Sequence, residues 1–233
     1  MFVPTQEDVA RYQRLRAAQR GLNERMVRTI PKAAMDDIGA ALGILRNGVL
    51  VLDDFEAMPA VLADCCLFEW YEDGENLVRR YANTHDAKRS VDETYLLDAC
   101  QRAEFRVLVA KSSVPGAGLY FRDVLTQDEL FVMDTAMSQG EHARGAALAT
   151  RTIPLGEYWM TGGAGLPIVS ADSINASLRR FEKESPQLLE RSFGLVLMRA
   201  ALECGAARNV RYSGTSAPLK KRRIVPKHQW RRR

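Results

Sequence analysis

The sequence predicts an α+β fold with a helical N-terminal part, a small five-stranded antiparallel sheet or barrel, and C-terminal helices. Three observations lead there. Apolar side chains recur at helical intervals through the first hundred or so residues. From Phe105 the pattern changes to five short segments rich in Val, Leu, Phe, Tyr and Trp, separated by turn chemistry. Helical patterning returns after about residue 170. Elements segregated in this order indicate α+β architecture. The expected organisation is therefore a helical region 1–104, a β domain 105–170, helices 171–207 packed on the body, and a basic tail 208–233.

In the first segment, Thr5 is placed to cap a helix with Asp8 three residues on. Val9, Tyr12, Leu15 and Arg16 follow at near-helical spacing before Gly21 and Pro31 punctuate the run. A second helix is expected from Lys32 to Leu45, with Ala34, Ile38, Ala41, Leu42 and Leu45 on one face and "RNG" as its turn signal. Val49 to Leu52 reads as a brief strand, after which Asp53 or Asp54 caps a helix that carries Leu62, Cys65, Cys66 and Glu69 on one side. "YEDGEN" breaks it, and two helices follow, at about 75–83 and 90–103, the latter opened by a Ser90/Glu93 capping box.

The five β segments are "FRVLVAKSS", "GAGLYFRDVLT", "ELFVMDTAMS", "AALATRTIPLG" and "EYWMTGGAGLPIV", of a size that suits an SH3-like or OB-like sheet. Asp172 or Ser173 then begins one helix. Ser185, with Pro186 at the first helical position, begins another that ends near Gly205. Beyond it "AARNVRYSGTSAPLKKRRIVPKHQWRRR" has no periodicity and is expected to be disordered unless bound.

Charge is unevenly distributed. The chain has 233 residues, 46% of them hydrophobic, and a net charge of +4. Residues 51–100 carry 4 basic and 12 acidic side chains. Residues 201–233 carry 10 basic and 1 acidic, a net +9, so the preceding residues form a mildly acidic body of net −5. No apolar run reaches the roughly 18 residues of a membrane span, and the N-terminus turns polar within a few residues. The expectation is a cytoplasmic protein without a membrane partner.

Few residues suggest chemistry. Cys65, Cys66, Cys100 and Cys204 lack the CxxC spacing of a zinc or redox site, and the apolar neighbours Val61, Leu62 and Leu67 point to thiols packed as small hydrophobes. His85, His142 and His228 form no metal-binding pair, and no GxSxG marks a nucleophile. "MTGGAGLP" lacks the Gly-Lys-Ser/Thr of a phosphate loop and reads as a wide turn or bulge. Asp53, Asp54, Glu56, Asp64, Glu69, Glu72, Asp73 and Glu75 could ligate a hard cation only if they converged. Without a DxD motif they read as a solvated acidic face. In the adjacent pairs Tyr120/Phe121 and Tyr158/Trp159, one member should face the core and the other outward, where it could stack on a ligand. No cofactor and no metal site are called for.

The tail is the strongest chemical signal. Lys220, Lys221, Arg222 and Arg223, then Lys227, Arg231, Arg232 and Arg233, flank Trp230. Lys and Arg neutralise phosphates without regard to sequence, and Trp230 could stack on an unpaired base.

The stretches "LGIL", "DCCLFEWYEDGENLVRRY", "LLDACQRAEFRVLV", "YFRDVLTQDELFVMD" and "ALATRTIPLGEYWMTGGAGLPI" make the chain between Leu42 and Ile168 resemble a group of bacterial proteins of unknown function. Some of these carry a SEC-C zinc motif. That cysteine-rich segment is absent here, so the resemblance implies neither a zinc role nor any catalytic residue.

The expected function is thus a non-enzymatic protein that associates with nucleic acid or ribonucleoprotein through its tail. The alternatives are a metal-assisted hydrolase built on Asp53, Asp54, Glu69 and Asp73, and a protein-interaction module marked by an exposed apolar patch on the β domain.

Overall fold

The computed structural model describes residues 2–52, 56–84, 89–139 and 145–210. Helix α1 (Gln6–Val27) opens with the expected capping box: the Asp8 amide donates to Thr5 Oγ1 and the Thr5 amide donates to Asp8 Oδ2. Gly21 does not interrupt it. A helical glycine costs about 1 kcal/mol relative to alanine, and the full burial of Leu22 and Met26 beyond it outweighs that.

Helix α2 (Lys32–Ala41) is shorter than expected, because the chain turns into a hairpin of β1 (Leu45–Arg46) and β2 (Val49–Leu50). Asn47 and Gly48 both take positive φ (52° and 76°), the conformation of a two-residue hairpin turn. The same device recurs after α3 (Ala57–Glu69), where Asp73 and Gly74 (55° and 81°) join β3 (Tyr71–Glu72) to β4 (Glu75–Asn76). "YEDGEN" therefore ends α3, as expected, by forming a hairpin. Helices α4 (Leu77–Asn83) and α5 (Val91–Gln101) follow, and Ser90 and Glu93 cap the second reciprocally.

The β region closes on itself. Its strands are β5 (Glu104–Val114), β6 (Gly118–Asp123), β7 (Glu129–Met133), β8 (Ala147–Pro154), β9 (Trp159–Thr161) and β10 (Leu166–Pro167), in the order β10-β8-β5-β6-β7-β9. Along one edge β8 pairs with β5. Along the other it pairs with β10 (Leu166↔Ala149) and with β9 (Ile153↔Met160). Strand β9 in turn pairs with β7 (Val132↔Trp159), which closes a five-stranded barrel.

The barrel is not wholly antiparallel: the closing β7–β9 pair is parallel. The sixth short strand arises because "MTGGAGLP" bends between β9 and β10, both held by the same edge of β8. That segment is therefore a turn within a strand edge, as read from the sequence. Gly118 is required where β6 crosses β7, since a Cβ there would lie 2.2 Å from the Val132 carbonyl oxygen.

Alternation along the strands builds two cores. Leu108, Ala110, Leu119, Phe121, Leu130 and Val132 fill the barrel, with Met137 and Trp159 against them. The alternate residues Val107, Phe131, Met133, Ala149, Ile153 and Met160 join a larger cluster that runs continuously into the helices on both sides in sequence.

The C-terminal helices are α6 (Ala171–Glu184), α7 (Pro186–Arg191) and α8 (Phe193–Glu203). Ser170, two residues before Asp172, caps α6. The single helix expected from Ser185 to Gly205 is broken at Ser192, which is extended (φ −166°, ψ 125°) and caps α8 through its hydroxyl.

Candidate functional site

The break at Ser192 leads to a buried ion cluster. Arg151, in the middle of β8, points to the helices rather than to solvent. Its Nε donates to Asp64 Oδ2 (3.1 Å) and its Nη2 to Glu69 Oε1 (2.6 Å), both on α3. Glu69 Oε2 accepts from the Ser192 hydroxyl (2.8 Å), so the cluster ties β8, α3 and α8 together. The guanidinium also lies 4.1 Å from the Phe68 ring centroid. Burial pushes the Asp64 carboxyl above its usual range against the pull of Arg151. Burial alone would lower Arg151, but Asp64 and Glu69 outweigh it and hold the cation. Every charge here is already answered by another group of the protein.

Asp64 and Glu69 are therefore not part of a solvated acidic face. The apolar side of α3 buries Asp64 and half-buries Glu69, and a cation from a strand more than eighty residues away neutralises them. The other acidic residues of that stretch are dispersed. Glu72 pairs with Arg80, Glu75 accepts from the Asn83 amide, and Asp73 occupies the hairpin turn. Asp53 and Asp54 lie outside the described residues. Among the described residues no three His, Cys, Asp or Glu side chains are placed to hold a metal ion.

Cys65, Cys66 and Cys100 are buried free thiols, as their apolar neighbours led one to expect. Burial raises all three, Cys66 and Cys100 to about 12, far from a reactive thiolate.

The aromatic pairs behave differently from the expectation of one face in and one face out to solvent. Phe121 and Trp159 pack in the barrel core. Their partners Tyr120 and Tyr158 do point the other way, but into the helix-facing core, because the N-terminal segment and α1 cover that side. The Phe2 ring sits 5.4 Å from Phe131 and 5.5 Å from Tyr158 (centroid distances), and the Tyr120 hydroxyl donates to the Phe2 carbonyl oxygen (2.5 Å). No exposed stacking platform is formed by these residues. Val124 and Leu125, in the β6–β7 turn, are exposed.

Beside Tyr158 is a second arginine cluster that the sequence did not signal. Arg11 of α1 lies 5.1 Å from the Tyr95 ring centroid (α5) and 5.9 Å from that of Tyr158. Its hydrogen bond to the Leu155 carbonyl is long (3.4 Å), and no carboxylate among the described residues pairs with it. The neighbouring acids are engaged elsewhere: Asp8 by Thr5, Asp92 by Arg14, and Glu93 by Arg25 and the Ser90 amide. Tyr158 is 1% exposed, and its hydroxyl makes no hydrogen bond of good geometry, its nearest polar partner being the Arg11 guanidinium. Burial pushes the Tyr158 phenol above its ordinary pKa, opposed by nearby Arg11.

The residues Lys220, Lys221, Arg222, Arg223, Lys227, Trp230, Arg231, Arg232 and Arg233, and all three histidines, lie outside the described residues. No described helix is long and apolar enough to cross a membrane.

Fold and clusters define an α+β protein in which helices wrap one side of a closed five-stranded barrel. The chain belongs to a family of unknown function, DUF7986, whose model matches residues 6–187. No curated protein and no solved structure matches it.

Proposed function

We propose that the protein is a non-enzymatic, nucleic-acid-associating protein in which the folded body is a scaffold and the basic C-terminal segment makes the contact. The observation that carries this reading is the charge division. Residues 201–233 bear a net +9 while the rest of the chain is net negative, so a polyanion is attracted to one end only. The barrel aromatics are engaged in the two cores, which favours the tail over the barrel as the place of contact.

Tail binding is an electrostatic, sequence-tolerant association. Trp230 adds a preference for unpaired bases by stacking between the two basic clusters. Fluorescence anisotropy with single-stranded RNA and duplex DNA, across a salt series, tests it on the full chain and on a chain lacking residues 214–233. Truncation should abolish most of the affinity and flatten the dependence of log K on log salt. Unchanged affinity and slope would dispose of the proposal.

A further inference from the structure

Most polar groups buried in this molecule are answered by another part of the chain. The Arg11–Tyr158 cluster is answered only in part: Arg11 meets the Leu155 carbonyl and the Tyr95 and Tyr158 hydroxyls, but the Tyr158 O–H has no acceptor and the guanidinium no carboxylate. The buried Tyr158 hydroxyl makes no hydrogen bond of good geometry beyond its approach to Arg11, and that guanidinium has no carboxylate on it. Both groups offer hydrogen-bond donors, and the guanidinium lies against the rings of Tyr95 and Tyr158. Buried polar groups left unpaired in a native fold are the exception and call for a partner such as an ordered water, an ion or a ligand.

The cover over this site is also particular. Phe2, in an N-terminal segment without helix or strand, presses its ring against Tyr158 and Phe131 and is tethered by the Tyr120 hydroxyl. The Phe2 ring thus fills an aromatic-walled position next to these donors.

We propose that Arg11 and Tyr158 form a binding site for a small aromatic monocarboxylate, whose ring takes the place of Phe2 and whose carboxylate accepts from the Arg11 guanidinium and the Tyr158 hydroxyl. A planar monoanion suits one guanidinium. A phosphate dianion would carry excess charge toward Asp8, which sits one helical turn before Arg11 and acts on it electrostatically. The capping box is part of the device: Thr5 binds Asp8 through both its amide and its hydroxyl, which keeps Asp8 from occupying Arg11 itself. The site is independent of whatever the tail binds.

Phenylacetate serves as the probe, titrated into the full-length protein and followed by thermal shift and by isothermal calorimetry, with inorganic phosphate in a parallel arm. The expected result is saturable binding in the wild type that tightens roughly threefold or more in Phe2→Ala, where the competing ring is gone. Arg11→Gln and Tyr158→Phe should each weaken it about tenfold or more. Tyr158→Phe removes a single oxygen and keeps the packing, so it decides the matter even if Arg11→Gln fails to fold. Absence of saturable binding in both wild type and Phe2→Ala overturns the proposal. So does binding that survives Tyr158→Phe unchanged, or phosphate binding in preference to phenylacetate.

Discussion

Arg151 and Arg11 each lie against aromatic rings, and their surroundings differ in every other respect. Arg151 is sealed between a strand and a helix with two carboxylates on it, one of which is held in turn by a serine from a third element. Arg11 sits where α1, α5 and the approach to β9 meet, with no carboxylate on it and a silent phenol beside it. A buried charge with all its partners fixes elements relative to one another. A half-buried charge whose neighbouring acids are each committed elsewhere remains open to something outside the chain.

The largest expected effect comes from breaking the first cluster. Arg151→Met leaves Asp64 and Glu69 facing each other without a cation and should cost about 3–5 kcal/mol in urea denaturation. A loss below about 1 kcal/mol would remove the distinction between the clusters.

Next is Thr5→Ala, which should cost about 1 kcal/mol through the lost helix cap. It also sharpens the comparison, because it frees Asp8 to approach Arg11. The carboxyl of Asp8 is held below its ordinary value chiefly by the Thr5 side chain. In Thr5→Ala, NMR titration should show that value set by Arg11 instead, and phenylacetate binding should weaken.

Glu93 gives a pH-dependent test of why the acids near Arg11 are unavailable to it. Its carboxyl is held below the ordinary 4.5, first by the Arg25 hydrogen bond and then by the Ser90 amide. The folded state therefore releases this proton more readily than the unfolded chain. The stability so gained is present above pH 4.5 and is lost as pH falls through the lowered value. Glu93→Gln should lower stability at neutral pH and flatten its decline on the acid side, read by denaturation at a series of pH values.

Tyr158→Phe should have the smallest effect on stability, within about 0.5 kcal/mol of the wild type, because the lost hydroxyl makes no hydrogen bond of good geometry. A marked destabilisation would mean that the hydroxyl is satisfied within the fold.

What was legible in the sequence was local. The capping boxes at Thr5/Asp8 and Ser90/Glu93, and the alternating segments after Phe105, are set by neighbours a few residues apart. The two hairpins at Asn47-Gly48 and Asp73-Gly74 read only as breaks. Strands of two residues carry no alternation, although the N-G and D-G dipeptides are hairpin turns by nature.

Barrel closure was hidden for another reason: it depends on β9 finding both β7 and β8, a choice among distant pairings. Asp64 and Glu69 looked solvated because their cation comes from "LATRTIP", where an arginine in a strand reads as an outward residue. Arg11 and Tyr158 are likewise more than a hundred residues apart. Their relation shows only once α1 lies across the barrel.

The difference between the two arginines is tested most directly by the Nε–Hε resonances of the full-length protein, recorded with and without phenylacetate. The Arg151 Hε, bonded to Asp64 inside the core, should exchange slowly with solvent and keep its shift on addition. The Arg11 Hε should exchange fast at first, then move and become protected as phenylacetate saturates. Equal protection of both protons, with no movement of Arg11, would contradict the account.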